Sequence, residues 1–276
     1  MSKNESITMT NPELEIICQK SCDVVKEVGK FIKNELGKVN ADAIETKSLN
    51  SLVSYVDKSA EEQLVRGLGA IVPQATFLTE EATVEQKDGI FRWIIDPLDG
   101  TTNFLHQLPF FSISAALQYH GEIVLGIVLE VNRDECFYAW KDGGAFLNGK
   151  KIKVSSSKNI KDALVATGFP YYDLKYVNPY LKTLDFFMRN SRGIRRFGSA
   201  ALDLAYVACG RFDAFYEYSL NAWDVAGGAI IVQEAGGIVI DFKGESNFLF
   251  GGEIIALNPN IKASILEAVN EAFYPS

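Results

Sequence analysis

The sequence WIIDPLDGTTNF, residues 93–104, joins an apolar segment directly to a group of polar residues. The apolar run of residues 93–95 ends at Asp96, and a second carboxylate follows three residues later at Asp99. A turn is one interpretation, because Asp, Pro, Gly and Asn all favour turns. The other interpretation is a metal site whose ligands are held at the end of a buried strand.

The composition narrows the possible classes of protein. The 276 residues include 47% hydrophobic and 22% charged residues, and the formal net charge is -8. A chain of this length can bury a substantial core, either as one large domain or as two closely packed halves. The acidic balance argues against a nucleic-acid-binding protein, which usually carries a basic surface. It does not argue against anionic substrates, because bound divalent cations invert the local charge.

Targeting signals and metal-binding cysteine patterns are not apparent in the sequence. The N-terminal stretch MSKNESITMTNPELE lacks the apolar region of a signal peptide, and no apolar run approaches the length of a membrane span. The four cysteines form no CxxC pair, and the two histidines are scattered. We therefore expect a cytoplasmic protein with reduced core thiols, no membrane association and no zinc site.

The first half of the chain changes from helical to strand patterns. Apolar spacing predicts helices over residues 12–36 and about 57–68, followed by a short strand over 76–78. Between residues 91 and 154, apolar segments separated by HGE, NRDE and DGG turns predict an antiparallel meander. Both alternate positions are apolar in several of these strands, which indicates a sheet covered on both faces.

From about residue 155 strand and helix patterns alternate, which predicts that helices and sheets form successive layers. The segment SAALDLAYVACG reads as a helix with Ser199 as N-cap and Gly210 beyond its end. AWDVAGGAIIVQEAGG reads as another helix, with Asp224 in its first turn. The fold class is therefore α/β, or α+β when the meander is counted separately.

Acidic residues stand at the ends of several predicted elements, where a rigid scaffold can hold functional groups. Asp57 opens a helix, and Glu80 and Glu81 follow a strand. Each also has a purely structural interpretation. Asp57 fits a helix cap, and the two glutamates fit an exposed pair. Asp224 fits the first turn of a helix, where the helix dipole favours an acidic residue. A magnesium site explains them together, because Mg²⁺ takes oxygen ligands and two ions about 3.5–4 Å apart can clamp a phosphoryl transfer.

Two motifs make the chain resemble the inositol monophosphatase family, which consists of magnesium-dependent, typically lithium-inhibited phosphomonoesterases. The family's DPxDGTxxF element after a WI(I/V) strand stands here as WIIDPLDGTTNF, and WDxAxGxxxxxEAGG stands as WDVAGGAIIVQEAGG at 223–237. The glutamate pair is present in FLTEEA, although Thr79 replaces the usual glycine and Ala82 the usual serine. The segment GSAALDLAYVACGRFDAFYE resembles the bacterial branch closely.

The resemblance implies a layered αβαβα sandwich of the inositol monophosphatase and fructose-1,6-bisphosphatase type. It implies one phosphatase domain over residues 12–270, with an N-terminal α+β half at about 12–154 and a C-terminal α/β half at about 155–276. It also implies a homodimer, lithium sensitivity and two or three Mg²⁺ ions per site.

Metal-ligand roles follow from the same resemblance, position by position. Glu80, Asp96 and the carbonyl of Leu98 resemble the ligands of a first ion. Asp96, Asp99 and Asp224 resemble those of a second, and Glu80 also resembles a ligand of a third, weaker ion.

The implied catalytic residues are Glu80, Thr101 and Asp57. Thr101 and Glu80 resemble the pair that positions the nucleophilic water, and Asp57 matches the aspartate that supports the threonine. Glu217 matches the glutamate that binds sugar hydroxyls, and Ala200 offers an amide at the same rim. The implied substrate-binding set is Asp99, Gly100, Thr101, Ala200, Glu217 and Asp224.

The expected reaction is attack of activated water on myo-inositol 1-phosphate or a similar small polyol or sugar monophosphate. Asn221 stands where inositol enzymes often carry histidine or another polar residue. The same chemistry on fructose 1,6-bisphosphate, histidinol phosphate or 3′-phosphoadenosine 5′-phosphate is an alternative. Nucleotides and bisphosphates need an additional cationic pocket, and the candidates for it, which also fit a solvated basic face, are Lys175, Arg192, Arg195 and Arg196.

A non-catalytic regulatory role with the transcription machinery is an alternative of a different class, implied by some bacterial relatives. The basic stretch GIRR at 193–196 is a candidate surface for such a partner, or for a dimer contact.

Overall fold

A computed structural model describes residues 9–39, 45–48, 51–169 and 174–275. Its helices are α1 (Asn11–Glu35), α2 (Tyr55–Ile71), α3 (Thr101–Leu105), α4 (Val177–Asn190), α5 (Ala200–Ala208), α6 (Ala222–Glu234) and α7 (Lys262–Phe273). Short 3₁₀ turns cover Ile160–Asp162, Leu174–Tyr176 and Pro259–Ile261. Among the described helices, none combines the length and apolar character needed to cross a membrane.

The strands form a hairpin and two larger sheets. The hairpin pairs β1 (Glu45–Ser48) with β2 (Ser51–Val53). The seven-stranded sheet has, in spatial order, β3 (Thr76–Thr79), β4 (Phe91–Asp99), β5 (Ser112–Tyr119), β6 (Glu122–Glu130), β7 (Glu135–Trp140), β8 (Gly144–Leu147) and β9 (Lys150–Lys151). The five-stranded sheet has, in spatial order, β11 (Gly193–Arg195), β10 (Leu164–Thr167), β12 (Ala214–Tyr218), β14 (Glu253–Leu257) and β13 (Ile238–Ile240).

The sheets and helices form five layers, which confirms the αβαβα sandwich. Helices α1 and α2 pack on the outer face of the seven-stranded sheet. Helices α5 and α6 fill the space between the two sheets, and α4 and α7 cover the other face of the five-stranded sheet. The predicted meander is confirmed, since β4 to β9 pair antiparallel in chain order. Only β3 pairs parallel to its neighbour within that sheet.

The helix N-termini follow from local hydrogen bonding. Helix α2 begins earlier than predicted because Ser54 caps it, accepting a hydrogen bond from the Val56 amide at 3.1 Å. Asp57 therefore lies in the first turn, and its carboxylate accepts from the backbone amide of Ser54 at 2.8 Å. This reciprocal arrangement satisfies amides that a helix N-terminus otherwise leaves unpaired. The N-cap prediction for Ser199 is confirmed, because its hydroxyl accepts from the Leu202 amide.

Strand β4 extends further than the apolar run predicted. It passes through Pro97 to Asp99, and its pairing with β5 shifts register between Asp96 and Asp99. The shift tolerates a proline, which cannot donate to the ladder, and gives the strand end an irregular path. The hairpin of β1 and β2 and the five-residue helix α3 were not predicted, because elements this short show no clear periodicity.

Candidate active site

A cleft of about 820 Å³ collects most of the residues that the sequence singled out. Its lining includes Glu80, Asp96, Leu98, Asp99, Gly100, Thr101, Ala200, Glu217 and Asp224. These residues come from the ends of β3 and β4, from the first turns of α3, α5 and α6, and from β12. Asp57 is buried behind the cleft wall and reaches it through Thr101. The structure thus brings together residues separated by more than a hundred positions in the chain.

Thr101 is held by two acceptors at the cleft wall. Its hydroxyl lies 2.9 Å from Oδ1 of Asp57 and 3.0 Å from the carbonyl oxygen of Leu98. The other carboxylate oxygen of Asp57 accepts from the amide and hydroxyl of Ser54 at 2.8 and 2.7 Å. Burial raises the pKa of Asp57, and the hydrogen bonds from Ser54 and Thr101 oppose that rise. Asp57 is therefore a fixed acceptor that sets the direction of the Thr101 hydroxyl.

Asp96 and Asp224 are carboxylates in an unfavourable electrostatic environment. Burial raises the pKa of both groups well above its usual value. The negative charges of Glu80, Asp99 and Asp224 raise the pKa of Asp96 further, and those of Asp99 and Glu80 act on Asp224. Like-charged carboxylates brought together out of water favour protons or cations. The cluster therefore retains protons, or would bind cations, more readily than isolated carboxylates do.

Backbone and side-chain donors fix the orientation of this cluster. The amide of Leu98 donates to Oδ1 of Asp96 at 2.9 Å. Asn221 is the N-cap of α6, and its backbone amide donates to Oδ2 of Asp224 at 2.6 Å. Asn221 therefore has a local structural task, namely to hold Asp224 in the first turn of its helix.

Asp99 connects the end of β4 to the N-terminus of α5. Its Oδ2 accepts from the Ser199 hydroxyl at 2.6 Å and from the Ala201 amide at 2.8 Å. Burial raises the pKa of Asp99 to about 6, while hydrogen bonds from Ser199, Ala201 and Ala200 lower it. The backbone amide of Ala200, which we expected to face the substrate, thus also helps to lower the pKa of Asp99. Ser199, which the sequence identified only as a helix cap, is an anchor for this carboxylate.

Glu61 is a structural acceptor that the sequence analysis missed. It is fully buried in α2, and its carboxylate accepts from the hydroxyl of Thr79 at 2.8 Å and from the amide of Glu81 at 2.7 Å. It also accepts from the amide and hydroxyl of Thr83, both at 2.7 Å. These four bonds fix the loop that carries Glu80. The available signal was its position four residues after Asp57, on the same side of α2.

Gly100 occupies a crowded position between α3 and the five-stranded half. Its φ is +96°, and a Cβ there would lie 3.1 Å from the carbonyl oxygens of both Gly198 and Phe110. The side-chain amide of Asn103 donates to Phe110 and Phe197 carbonyl oxygens at 2.7 and 2.8 Å. The glycine is therefore required by packing at this junction as well as by its left-handed backbone.

Glu217 forms part of the cleft wall beside residues from the C-terminal half. A Cβ added to Gly168 would lie within 2.0 Å of its carboxylate, so only glycine leaves room for it. Burial raises the pKa of Glu217 to about 8, and the Arg196 guanidinium opposes this rise. Asp203, fully buried in α5, responds to the same charges: burial and Glu217 raise its pKa, and Arg196 lowers it.

The four basic residues considered for an additional cationic pocket lie in different surroundings in the structure. Arg196 lines the cleft, and its guanidinium lies 5.1 Å from the centre of the Phe169 ring. Arg195 is exposed and donates to the carbonyl of Ile194, next to it in the chain, at 2.8 Å. Arg192 pairs with an aspartate elsewhere on the surface, and Lys175 stacks on the neighbouring tyrosine. Only Arg196 of these four contributes to the lining of the cleft.

The donor set suits a hard divalent cation. Glu80, Asp96, Asp99 and Asp224 provide only oxygen donors, and the carbonyl of Leu98 lies beside them in the cleft. Such donors match the preference of Mg²⁺, and the mutual repulsion described above is what bound cations would relieve. Within the described ranges, however, no three His, Cys, Asp or Glu side chains are grouped closely enough to hold a metal as they stand. The chemistry of the donors fits Mg²⁺, and their observed spacing does not form a closed coordination shell.

The fold defines the class as a layered α/β sandwich with an acidic cleft, and sequence comparison identifies the family. The chain belongs to the inositol monophosphatase family, because the model of that family matches residues 13–274. The resemblance inferred from the two motifs is thereby confirmed.

Individual relatives carry two kinds of name. The chain is 39% identical to the Nus factor SuhB of Pseudomonas aeruginosa over 256 residues, covering 91% of this chain and 94% of the relative. It is 42% identical to an inositol-1-monophosphatase of Rhizobium meliloti over 246 residues, covering 89% and 92%. Among solved structures, the extragenic suppressor protein suhB from Bartonella henselae matches with a TM-score of 0.88 at 38% identity, covering 93% and 99%.

Proposed function

We propose that the protein is a Mg²⁺-dependent phosphatase that hydrolyses a small polyol or sugar monophosphate, with myo-inositol 1-phosphate as the leading substrate. The observation that carries this proposal is the arrangement of the cleft. Four carboxylates, Thr101 and Glu217 line it, and Asp57 holds the Thr101 hydroxyl from behind the cleft wall. The Rhizobium meliloti relative named inositol-1-monophosphatase supports the same activity.

Two or three Mg²⁺ ions would be held by the carboxylate cluster. Glu80, Asp96 and the Leu98 carbonyl are the proposed ligands of one ion, and Asp96, Asp99 and Asp224 those of another. When bound, Mg²⁺ neutralises the phosphate charge and makes water a stronger nucleophile near neutral pH. The protein contributes the orientation of the ligands: Ser199 fixes Asp99, Asn221 fixes Asp224 and Glu61 fixes the loop of Glu80.

The proposed catalytic residues orient the attacking water. The Thr101 hydroxyl donates its hydrogen to Asp57 and the Leu98 carbonyl. Its lone pairs are left to accept a hydrogen bond from water. Glu80, in the same cleft, is the proposed acceptor of the water proton. Glu217 is the proposed acceptor for substrate hydroxyls, and the backbone at Gly100 and Thr101 is the proposed contact for the phosphate.

Phosphate release from a panel of monoesters tests this function. The panel contains myo-inositol 1-phosphate, fructose 1,6-bisphosphate, histidinol phosphate and 3′-phosphoadenosine 5′-phosphate, each assayed with Mg²⁺ and with EDTA. We expect preferential, EDTA-sensitive release from inositol 1-phosphate, with inhibition by Li⁺. Asp96→Asn should abolish it, and Asp23→Asn, at an exposed position of α1, serves as the matched control. Preference for another member of the panel would change the substrate and keep the metal site. No Mg²⁺-dependent release from any of the four would reject the proposal.

A regulatory role with the transcription machinery is a second candidate, favoured by the relative named Nus factor SuhB. Such a role would use the protein surface and would not need the carboxylate cluster. Asp96→Ala separates the two functions, because binding to a transcription complex should persist when phosphatase activity is lost. Co-purification of that variant with RNA polymerase and its elongation factors is the direct measurement.

We also propose that the protein forms a homodimer through α4 and the turn before it. Leu174, Leu181 and Met188 are spaced by seven residues and are 66%, 53% and 61% exposed. Exposed apolar residues in such a row favour contact with another protein surface. Light scattering of the wild type and of Leu181→Glu tests this: the wild type should have twice the monomer mass, and the variant should dissociate.

A further inference from the structure

Arg196 stands out among the basic residues because the structure places it inside the cleft. It follows β11 and lines the cleft together with Glu217, Gly168 and Phe169. The guanidinium lies over the Phe169 ring, and one of its nitrogens would be 2.5 Å from a Cβ added to Gly198. Gly198 has a φ of +87°, so the backbone there favours glycine, and its missing side chain leaves room for the Arg196 guanidinium. The contact with Phe169 places the guanidinium at the cleft wall.

The position of Arg196 relative to Glu217 restricts what it can recognise. Its positive charge lowers the pKa of Glu217 and of the buried Asp203, and Glu217 lines the same cleft as Arg196. A second phosphate of a substrate would meet a single guanidinium there, because no other Lys or Arg is among the described residues that line the cleft. A hydroxyl group needs no second cation, because it can donate to a carboxyl oxygen and accept from a guanidinium.

We propose that Arg196 is a substrate-specificity residue that, together with Glu217, binds adjacent hydroxyl groups of a polyol phosphate. This proposal rests on the phosphatase function proposed above and deepens it. One hydroxyl donates to the carboxyl of Glu217, and the oxygen of the neighbouring hydroxyl accepts from the guanidinium of Arg196. Gly168 leaves the space that the Glu217 carboxyl occupies. The substrate class is thus a monophosphate with a vicinal diol, in preference to a bisphosphate.

A matched pair of substrates isolates this contact. Glycerol 3-phosphate carries two adjacent hydroxyls, whereas 3-hydroxypropyl phosphate lacks only the middle one. The readout is the ratio of kcat/KM for these two substrates. We expect Arg196→Met to reduce the wild-type preference for the diol by about 10- to 100-fold, as for loss of a hydrogen bond to a charged group. Arg195→Met, at the exposed neighbouring position, should keep the wild-type ratio.

The remaining outcomes decide the proposal either way. An unchanged ratio in Arg196→Met, or an equal loss for both substrates, would overturn it. A selective loss for fructose 1,6-bisphosphate would also overturn it and would identify a second-phosphate site. If Arg196→Met does not fold, Arg196→Lys decides, because it keeps the charge but not the geometry and should still lower the ratio. If the wild type releases phosphate from neither substrate nor from inositol 1-phosphate, the phosphatase function fails and the polyol site fails with it.

Discussion

The Thr101 hydroxyl lies 2.9 Å from the Asp57 carboxylate, although 44 residues separate the two in the chain. The contact joins the first turn of α2 to the first turn of α3. Asp57 is in turn fixed by two hydrogen bonds from Ser54. The cap of one helix therefore determines the direction of a hydroxyl in the cleft.

Thr101→Val tests whether this hydroxyl acts on water. The substitution keeps the shape and removes the oxygen, so we expect kcat for inositol 1-phosphate to fall by about 100- to 10,000-fold. Thr101→Ser restores the hydroxyl and should recover most of the activity. Steady-state kinetics at saturating Mg²⁺ measures both variants. A Thr101→Val enzyme with nearly wild-type kcat would remove Thr101 from the mechanism.

Glu61→Ala should destabilise the protein and weaken metal binding together. The substitution leaves the amides of Glu81 and Thr83 and two threonine hydroxyls without their acceptor. Unpaired buried donors cost about 1–3 kcal/mol each, less where water enters, so we expect a loss of about 2–5 kcal/mol in the free energy of unfolding. Urea denaturation measures this loss, and Mg²⁺ titration of activity should give a higher half-saturation concentration. The adjacent, exposed Glu62→Ala should change neither quantity.

Removal of Mg²⁺ should lower the melting temperature. Repulsion within the carboxylate cluster opposes folding of the metal-free protein, and a bound cation relieves it. At a Mg²⁺ concentration 100-fold above Kd, the stabilisation is about 2.7 kcal/mol, which corresponds to an increase of roughly 5–10 °C. Asp96→Asn should melt higher than the wild type in EDTA and should respond less to Mg²⁺. Asp23→Asn should respond as the wild type does, and an equal response of all three proteins would contradict a metal site at Asp96.

The sequence predicted the parts of the site that depend on local patterns. The two carboxylates of β4 and the acidic first turn of α6 are each visible within a few residues. The layer order followed from strand and helix periodicity together with the family resemblance, and the structure confirms it. Boundaries were less well predicted, because Ser54 and the register shift in β4 extend α2 and β4 beyond their apolar cores.

Long-range contacts account for what the sequence did not reveal. Glu61 accepts hydrogen bonds from a loop about 20 residues further along the chain. Ser199 donates to a carboxylate 100 residues before it. Arg195 and Arg196 are chemically identical neighbours, yet only Arg196 lines the cleft. The turn at Gly198, with φ of +87°, belongs to a backbone path that no periodicity encodes.

Glu217 should make the stability of the metal-free protein depend on pH. Burial raises the pKa of its carboxyl from an ordinary value of 4.5 to about 8. Between these values the unfolded chain releases a proton that the folded protein retains, so the free energy of unfolding falls as the pH rises. Glu217→Gln does not ionise and should lack this contribution. We expect the stability of the variant relative to the wild type to increase by about 2 kcal/mol from pH 4.5 to 8.5, a value reduced for solvent access through the cleft. Urea denaturation in EDTA across this range measures the difference, and a constant difference would show that Glu217 ionises at its ordinary pKa.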